Sequence, residues 1–347
     1  MSKRLVCWIL SIILLLSPAY ASQSDFTERE SQIKSNTLAF LESVEKVEKL
    51  VNRVVLYNFD DEIEALYYGL SSGGYIITSY KDGRVIEFSP SKLPIDIIRL
   101  ASGSKIYFNG PFSYYTKVSS GQFKHAVSGE VISKPAVGYC KAAFVENVGG
   151  ITYEYQLASS GYTPLLYAPI NYVSASNGWK CTITGVTNLL QWYNDYVYID
   201  VYMSGAYSVS TLRSALSSNY YVANSPLYLS HAAYPYYDYS TGVSYHGLKY
   251  YCQRSDVTYR NIVVTTHSVS KVKTQISTYW RPVLLAIYTS SIDSSASATS
   301  THTVMCYGFW ETSMTTYYIV NNGWGSNGVY ICSDYIPSTF EILYSTP

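Results

Sequence analysis

The chain has 347 residues, with 24 Lys+Arg against 24 Asp+Glu, so it carries no net charge. That balance gives no electrostatic footprint for nucleic acid, whose binders cluster Lys and Arg. Hydrophobic residues make up 48%, which excludes wholesale disorder, and the length suits two ordinary domains or one large one. Charged residues are only 14% while tyrosine occurs 39 times, a composition common outside the cell.

The N-terminus has the grammar of an export signal. Lys3 and Arg4 form a positive start, and Leu5 to Leu16 is an apolar run too short to span a bilayer comfortably. Pro18 breaks it, and Ala19-Tyr20-Ala21 is a small-x-small cleavage site. Residues 1–21 are therefore expected to be a signal peptide cut after Ala21. No later stretch is apolar enough for a transmembrane helix, so the expected product is secreted, extracellular and without a membrane partner. Cleavage removes Cys7 and leaves Cys140, Cys181, Cys252, Cys306 and Cys332. An odd number leaves at least one thiol unbridged in an oxidising compartment. No CxxC occurs and the histidines are scattered, so no metal site and no cofactor is expected.

Charge then divides the chain. Residues 22–140 hold 27 of the 48 charged side chains, which suggests two units with a seam near 135–165. In the first unit Leu38, Leu41, Val44, Val47 and Val51 recur at helical spacing. Strand-like runs follow at Val54–Tyr57, Glu64–Tyr68, Tyr75–Ser79 and Arg84–Phe88, punctuated by turns at Ser72-Gly73-Gly74 and Lys81-Asp82-Gly83. A small α+β unit with an antiparallel sheet is expected, with nothing catalytic in it.

The second unit opens with a helix over Cys181–Tyr193, in which Ile183, Val186, Leu190 and Tyr193 fall on one face. Further helices are expected at Val209–Leu216, His246–Gln253 and Val269–Tyr279. Strands are expected at Pro282–Tyr288, His302–Gly308, Tyr317–Val320 and Val329–Cys332, with a Ser/Thr/Ala-rich loop over Thr289–Thr301. Helices first and strands afterwards indicate an α+β fold with two lobes.

Three features line up for nucleophilic chemistry. Cys181 sits at a helix N-terminus, where unpaired backbone N–H groups favour a thiolate. His302 opens a strand, and Asn321-Asn322-Gly323-Trp324-Gly325 closes the strand expected beside it. A thiolate nucleophile needs an imidazole to hold and deliver a proton, and that imidazole needs an orienting acceptor such as an amide oxygen.

The segment Tyr317 to Tyr330, with Asn321-Asn322-Gly323-Trp324-Gly325 inside it, resembles the Asn-x-x-Trp-Gly region of papain-like cysteine peptidases. It is nearest to the streptopain family, with bacteriocin-leader-type peptidases as relatives. Cys181–Tyr193 looks like their nucleophile helix. Arg281-Pro282-Val283-Leu284 with Thr301-His302-Thr303-Val304 looks like the strand pair leading to the histidine. Gly73-Gly74-Tyr75-Ile76-Ile77-Thr78 is similar to the streptopain-type propeptide, which blocks the cleft. The resemblance implies a papain-like two-lobed fold over 146–347, preceded by a small α+β pro-segment over 22–145 that acts as an intramolecular inhibitor. It implies Cys181 as nucleophile and His302 as general acid/base. Asn322 orients the imidazole in one alignment of the motif and Asn321 in the other, and Trp324 shields that hydrogen bond.

Two departures stand out. Six residues before the nucleophile the papain family has an oxyanion-binding glutamine, and here Ala175 takes that place. Gln156, Asn171 and Asn177 are the candidates to supply it. Cys181 is also followed by Thr-Ile-Thr-Gly rather than the small residues usual in papain.

The expected function is therefore a secreted cysteine endopeptidase made as a zymogen, acting on proteins or peptides. The alternatives are an inactive Tyr-rich binding module on the same fold, or an acyl transferase using the same triad. His125, His231, His246 and His267 are expected in structural or surface roles. Cys140, Cys252, Cys306 and Cys332 are expected as core or disulfide residues. The aromatic run Tyr234–Tyr239 is expected as a solvated loop, with a cleft-lining role as the alternative.

Overall fold

The computed structural model describes residues 26–134 except 94, 128 and 130. It also describes 180–346 except 198–207, 219, 225–227, 254–260, 289–300, 313, 326 and 337–340. The expected signal peptide, the seam near 135–165, Cys140 and the candidates Gln156, Asn171 and Asn177 lie outside the described residues.

Helix α1 (26–43) lies on a sheet through Ile33, Thr37, Phe40 and Leu41, which are buried. The Thr37 and Thr78 hydroxyls hydrogen-bond at 2.8 Å and tie the helix to the strand beneath. Glu45 adopts φ 56, a left-handed conformation that turns the chain out of the helix. Val47 and Val51, expected to continue the helix, therefore lie beyond its end and are exposed, as is Leu38 within it. Their spacing continued the helical pattern by coincidence of composition.

Four strands follow as an antiparallel meander: β1 (Leu50–Tyr57), β2 (Ile63–Leu70), β3 (Tyr75–Ser79) and β4 (Val85–Ser89). Strands β3 and β4 are buried along their whole length, as expected for the middle of a covered sheet. Gly74 is obligatory at the β3 entry, because a Cβ there would lie 2.4 Å from the Ser89 carbonyl oxygen. Helix α2 (Ile97–Ala101) is capped by Asp96, whose side chain accepts from the Arg99 N–H. Four short strands complete this half: β5 (Ile106–Phe108), β6 (Tyr114–Ser119), β7 (Gln122–His125) and β8 (Val131–Ser133).

The second half begins with α3 (Cys181–Val197), α4 (Val209–Ser218) and α5 (Leu229–Ala233). A hairpin of β9 (Tyr236–Asp238) and β10 (Val243–Tyr245) follows, then α6 (Leu248–Cys252), β11 (Asn261–Thr266) and α7 (Val269–Ser277). The run Tyr234–Tyr239 is thus a hairpin arm rather than a loop, and Tyr239 at its tip is exposed. Helix α7 buries Val272 and Ile276 as expected but ends before Tyr279, which is exposed. The remaining elements are β12 (Val283–Tyr288), β13 (Thr301–Glu311), β14 (Thr316–Asn321), β15 (Val329–Cys332) and β16 (Glu341–Thr346). The protein is α+β.

Among the described residues, β11-β16-β12-β13-β14-β15-β4-β3-β2-β1-β5-β6-β7-β8 form one fourteen-stranded sheet. The two halves join where β15 pairs with β4, Tyr330 opposite Phe88 and Ile331 opposite Glu87. Their cores interdigitate as well. Trp310, Tyr317, Cys332 and Tyr335 pack into the core of the first half, and Phe112 packs into the core of the second. The Tyr317 hydroxyl donates to the Val85 carbonyl at 3.1 Å, and Arg84 pairs with both Asp82 and Asp334. No described helix is long and apolar enough to cross a membrane.

Candidate active site

Cys181 is the first residue of α3, and its helix runs into the interior with every side chain through Tyr193 buried. The expected apolar face is therefore only part of the buried surface. Threonines cover the rest, with hydroxyls that bond within the structure, such as Thr187 to the Ile183 carbonyl at 2.7 Å. Gly185 explains the unusual Thr-Ile-Thr-Gly sequence. A Cβ there would stand 3.0 Å from the Thr303 Cγ2 and 3.3 Å from Leu284, so glycine lets the helix approach β12 and β13 closely.

This approach brings Cys181 to β13. The thiol interacts with the main chain and hydroxyl of Thr303 and with Thr182, and the two threonine hydroxyls bond each other at 3.0 Å. The helix N-terminus gains a partner that the sequence did not reveal: the Asn224 side-chain oxygen accepts from the Thr182 N–H at 3.1 Å. Burial pushes the Cys181 thiol above its ordinary value, opposed by the hydrogen bonds from Thr303 and Thr182. The helix-end preference for thiolate is therefore overridden by desolvation in this state.

His302 is the next-door neighbour of Thr303 on β13 and is buried. Side chains alternate across a strand, so Thr303 faces α3 while His302 faces another set of residues. The imidazole stacks on Trp324, ring centroids 4.4 Å apart and planes at 24°. Its Nε2–H donates to the main-chain carbonyl of Asn322 at 2.7 Å. Donation to a carbonyl fixes the proton on Nε2 and makes Nδ1 the proton-accepting nitrogen. Burial pushes His302 down to about 3, partly offset by the Asn322 bond and reinforced by the nearby His125.

The asparagines play different parts from those the motif implies. Asn322 does orient His302, but through its backbone oxygen, while its Oδ1 accepts from the Trp324 N–H at 2.9 Å. The Asn321 Oδ1 accepts from the Gly323 N–H at 2.8 Å and lies 3.5 Å from the Asn188 amide of α3. Asn321 thus clamps the turn to the nucleophile helix. Both side chains accept from N–H groups of a turn in which Gly323 and Gly325 take φ 70 and 91. The Trp324 ring covers the imidazole of His302.

The other histidines divide. His267 bonds the Tyr318 hydroxyl at 2.8 Å and is buried. His231 stacks on Tyr236, and His246 contacts Tyr221 and Tyr250. His125 lies buried in the first half and donates to the Phe112 carbonyl. Cys306 and Cys332 are buried thiols bonded to Gly308 and Thr315.

Sequence reasoning missed three contributors from the first half: Phe112, Glu87 and His125. The Phe112 ring stands edge-on to His302 at 5.6 Å and to Trp324 at 5.2 Å. No sequence motif marks these residues. The sequence matches no protein-family model, and no curated protein matches it.

Proposed function

We propose that the chain is a secreted cysteine endopeptidase made as a zymogen, with a signal over 1–21, a pro-segment over 22–145 and a papain-like peptidase over 146–347. The observation that supports this reading is that both motif halves adjoin strand β13, at neighbouring residues. Thr303 holds the sulfur of Cys181, and its neighbour His302 is tied to Asn322 and covered by Trp324.

In the reaction the imidazole must first turn toward α3; the Cys181 proton then passes to Nδ1 of His302 and the sulfur attacks the peptide carbonyl carbon. The imidazolium then returns the proton to the leaving amine, giving a thioester that water hydrolyses with His302 as base. The neutral thiol and neutral imidazole favoured by burial fit a latent form, in which this transfer has not been set up.

The test is expression of the full chain and its Cys181→Ala variant, with the secreted N-terminus read by mass spectrometry and casein as substrate. The wild type is expected to start beyond residue 140 and to cleave casein. The variant is expected to start near residue 22 and to be inert. Equal cleavage by both chains would remove Cys181 as nucleophile. Inertness of both, with Cys181 unreactive to a peptidyl thiol reagent, would favour a binding module. Amide products in the presence of an added amine would point to acyl transfer.

A further inference from the structure

The hairpin β9–β10 supplies no residue to the site around Cys181 and His302. Among the described residues its two strands pair only with each other, outside the fourteen-stranded sheet. Such a ribbon is marginal by itself, and its base is fastened by close packing. Gly247 takes φ 87, and a Cβ there would lie 2.5 Å from the Tyr234 carbonyl carbon. The His246 and Gly247 N–H groups donate to the Tyr220 and Tyr221 carbonyls at 2.8 and 2.7 Å.

These contacts gather one row of rings. Along it run Tyr228, His231, Tyr236, Tyr245 and Tyr220, with successive centroids 4.9, 3.8, 6.4 and 6.1 Å apart. Tyr236 and Tyr245 stand directly opposite across the hairpin. The ends of the row, Tyr228 and Tyr220, are 46% and 51% exposed. Tyr220 also takes φ 54, a left-handed conformation unfavourable for a bulky side chain. None of the five rings belongs to a hydrophobic core.

We infer that this row is a binding track for a neutral polysaccharide, whose sugar units lay C–H groups against the rings and exchange hydrogen bonds with the phenol hydroxyls. The inference does not depend on the peptidase reading. The chemistry of the row selects the ligand class. Residues 236–245 contain no Lys, Arg or Glu. Their one carboxylate, Asp238, accepts from the Ser240 N–H and hydroxyl at 2.9 and 2.6 Å within the hairpin turn. Glu341 near His231 is likewise taken, by the Ser230 N–H and hydroxyl at 2.7 and 2.9 Å. Nothing in the row matches a polyanion, which is bound through clustered Lys and Arg. It lacks the Trp, Phe and Leu with which interfacial faces enter lipid. Five rings also fall far short of the roughly 20–30 residues that a protein partner covers. What the row offers is tyrosine's own pairing of apolar ring and polar tip, which matches a sugar's pairing of C–H groups and hydroxyls. A row rather than a pocket fits a chain of sugar units, and its fastened backbone lowers the ordering cost of binding.

Native affinity electrophoresis of the full-length Cys181→Ala chain tests this, in gels containing mixed-linkage β-glucan, galactomannan, dextran or heparin. The parent is expected to be retarded by at least one of the three neutral polymers, increasingly with polymer concentration, and not by heparin. Tyr220→Ser and Tyr228→Ser change the exposed ends of the row, and each is expected to raise Kd by about threefold to tenfold. Tyr236→Ala combined with Tyr245→Ala removes the centre and is expected to abolish retardation. If that double variant does not fold, the end variants decide alone. Equal mobility in every neutral gel, an unchanged Kd in the folded variants, or retardation by heparin would overturn the inference. Sedimentation of the parent with phosphatidylcholine vesicles, lost in the same variants, would also overturn it and make the surface a lipid site. Failure of wild-type caseinolysis would instead sink the peptidase reading and leave these mobilities as they are.

Discussion

Replacing His302 with alanine is expected to lower kcat/KM of the matured enzyme on a peptide substrate by about 10⁴-fold. The size follows from the unity of the pair. Without an imidazole the buried thiol stays protonated, because burial already holds it above its ordinary value. Thr182 and Thr303 beside the sulfur carry only hydroxyls, which cannot act as its base. Steady-state kinetics on purified, fully processed protein checks this, with substrate KM recorded separately. A loss below tenfold would mean that another group activates the sulfur.

Phe40→Ala is expected to destabilise the full chain by about 3–5 kcal/mol, the range for losing a buried aromatic ring. Phe40 is fully buried and makes aromatic contacts with Phe88, Trp310, Tyr317 and Tyr330 at 5.2 to 6.3 Å. Three of these partners, Trp310, Tyr317 and Tyr330, lie on second-half strands, so the ring fastens α1 across the β4–β15 junction. Denaturant unfolding should show a lower midpoint and, because the junction is weakened, separation of one transition into two. A loss under 1 kcal/mol with a single transition would show that the halves are fastened elsewhere.

The elements legible in the sequence are those whose local pattern and tertiary environment agree. Strands β3 and β15 fall within the expected limits, because short β-branched and aromatic runs between turn residues have few other ways to bury themselves. The start of α3 at Cys181 was legible for the same reason, although its far end extends past Tyr193. Boundaries failed where the pattern outlived the structure. Val47, Val51 and Tyr279 keep helical spacing beyond residues at which the backbone has already turned. Strands β5, β7 and β8 went unread because they have only three or four residues, too few for a periodic pattern to register.

The candidate site divides in the same manner. His302, Asn322 and Trp324 lie in motifs, so their proximity at β13 and the following turn was legible, as was the placing of Cys181 at the head of α3. The atom used by Asn322 was not, since a backbone carbonyl leaves no mark on side-chain identity. Glu87 reads in sequence as one more strand charge. Only pairing of β4 with β15 and the fold of the 109–113 turn make it a buried acceptor for the Phe112 N–H.

The reactive pair itself is tested most directly by the pH profile of Cys181 alkylation, located by peptide mapping, in matured wild type and matured His302→Ala. A thiolate–imidazolium pair gives the wild type a plateau of rapid alkylation through neutral pH. The variant should lose that plateau and react only as a thiol titrating above the ordinary value of about 8.5. Superimposable profiles for the two proteins would contradict the pairing of Cys181 with His302.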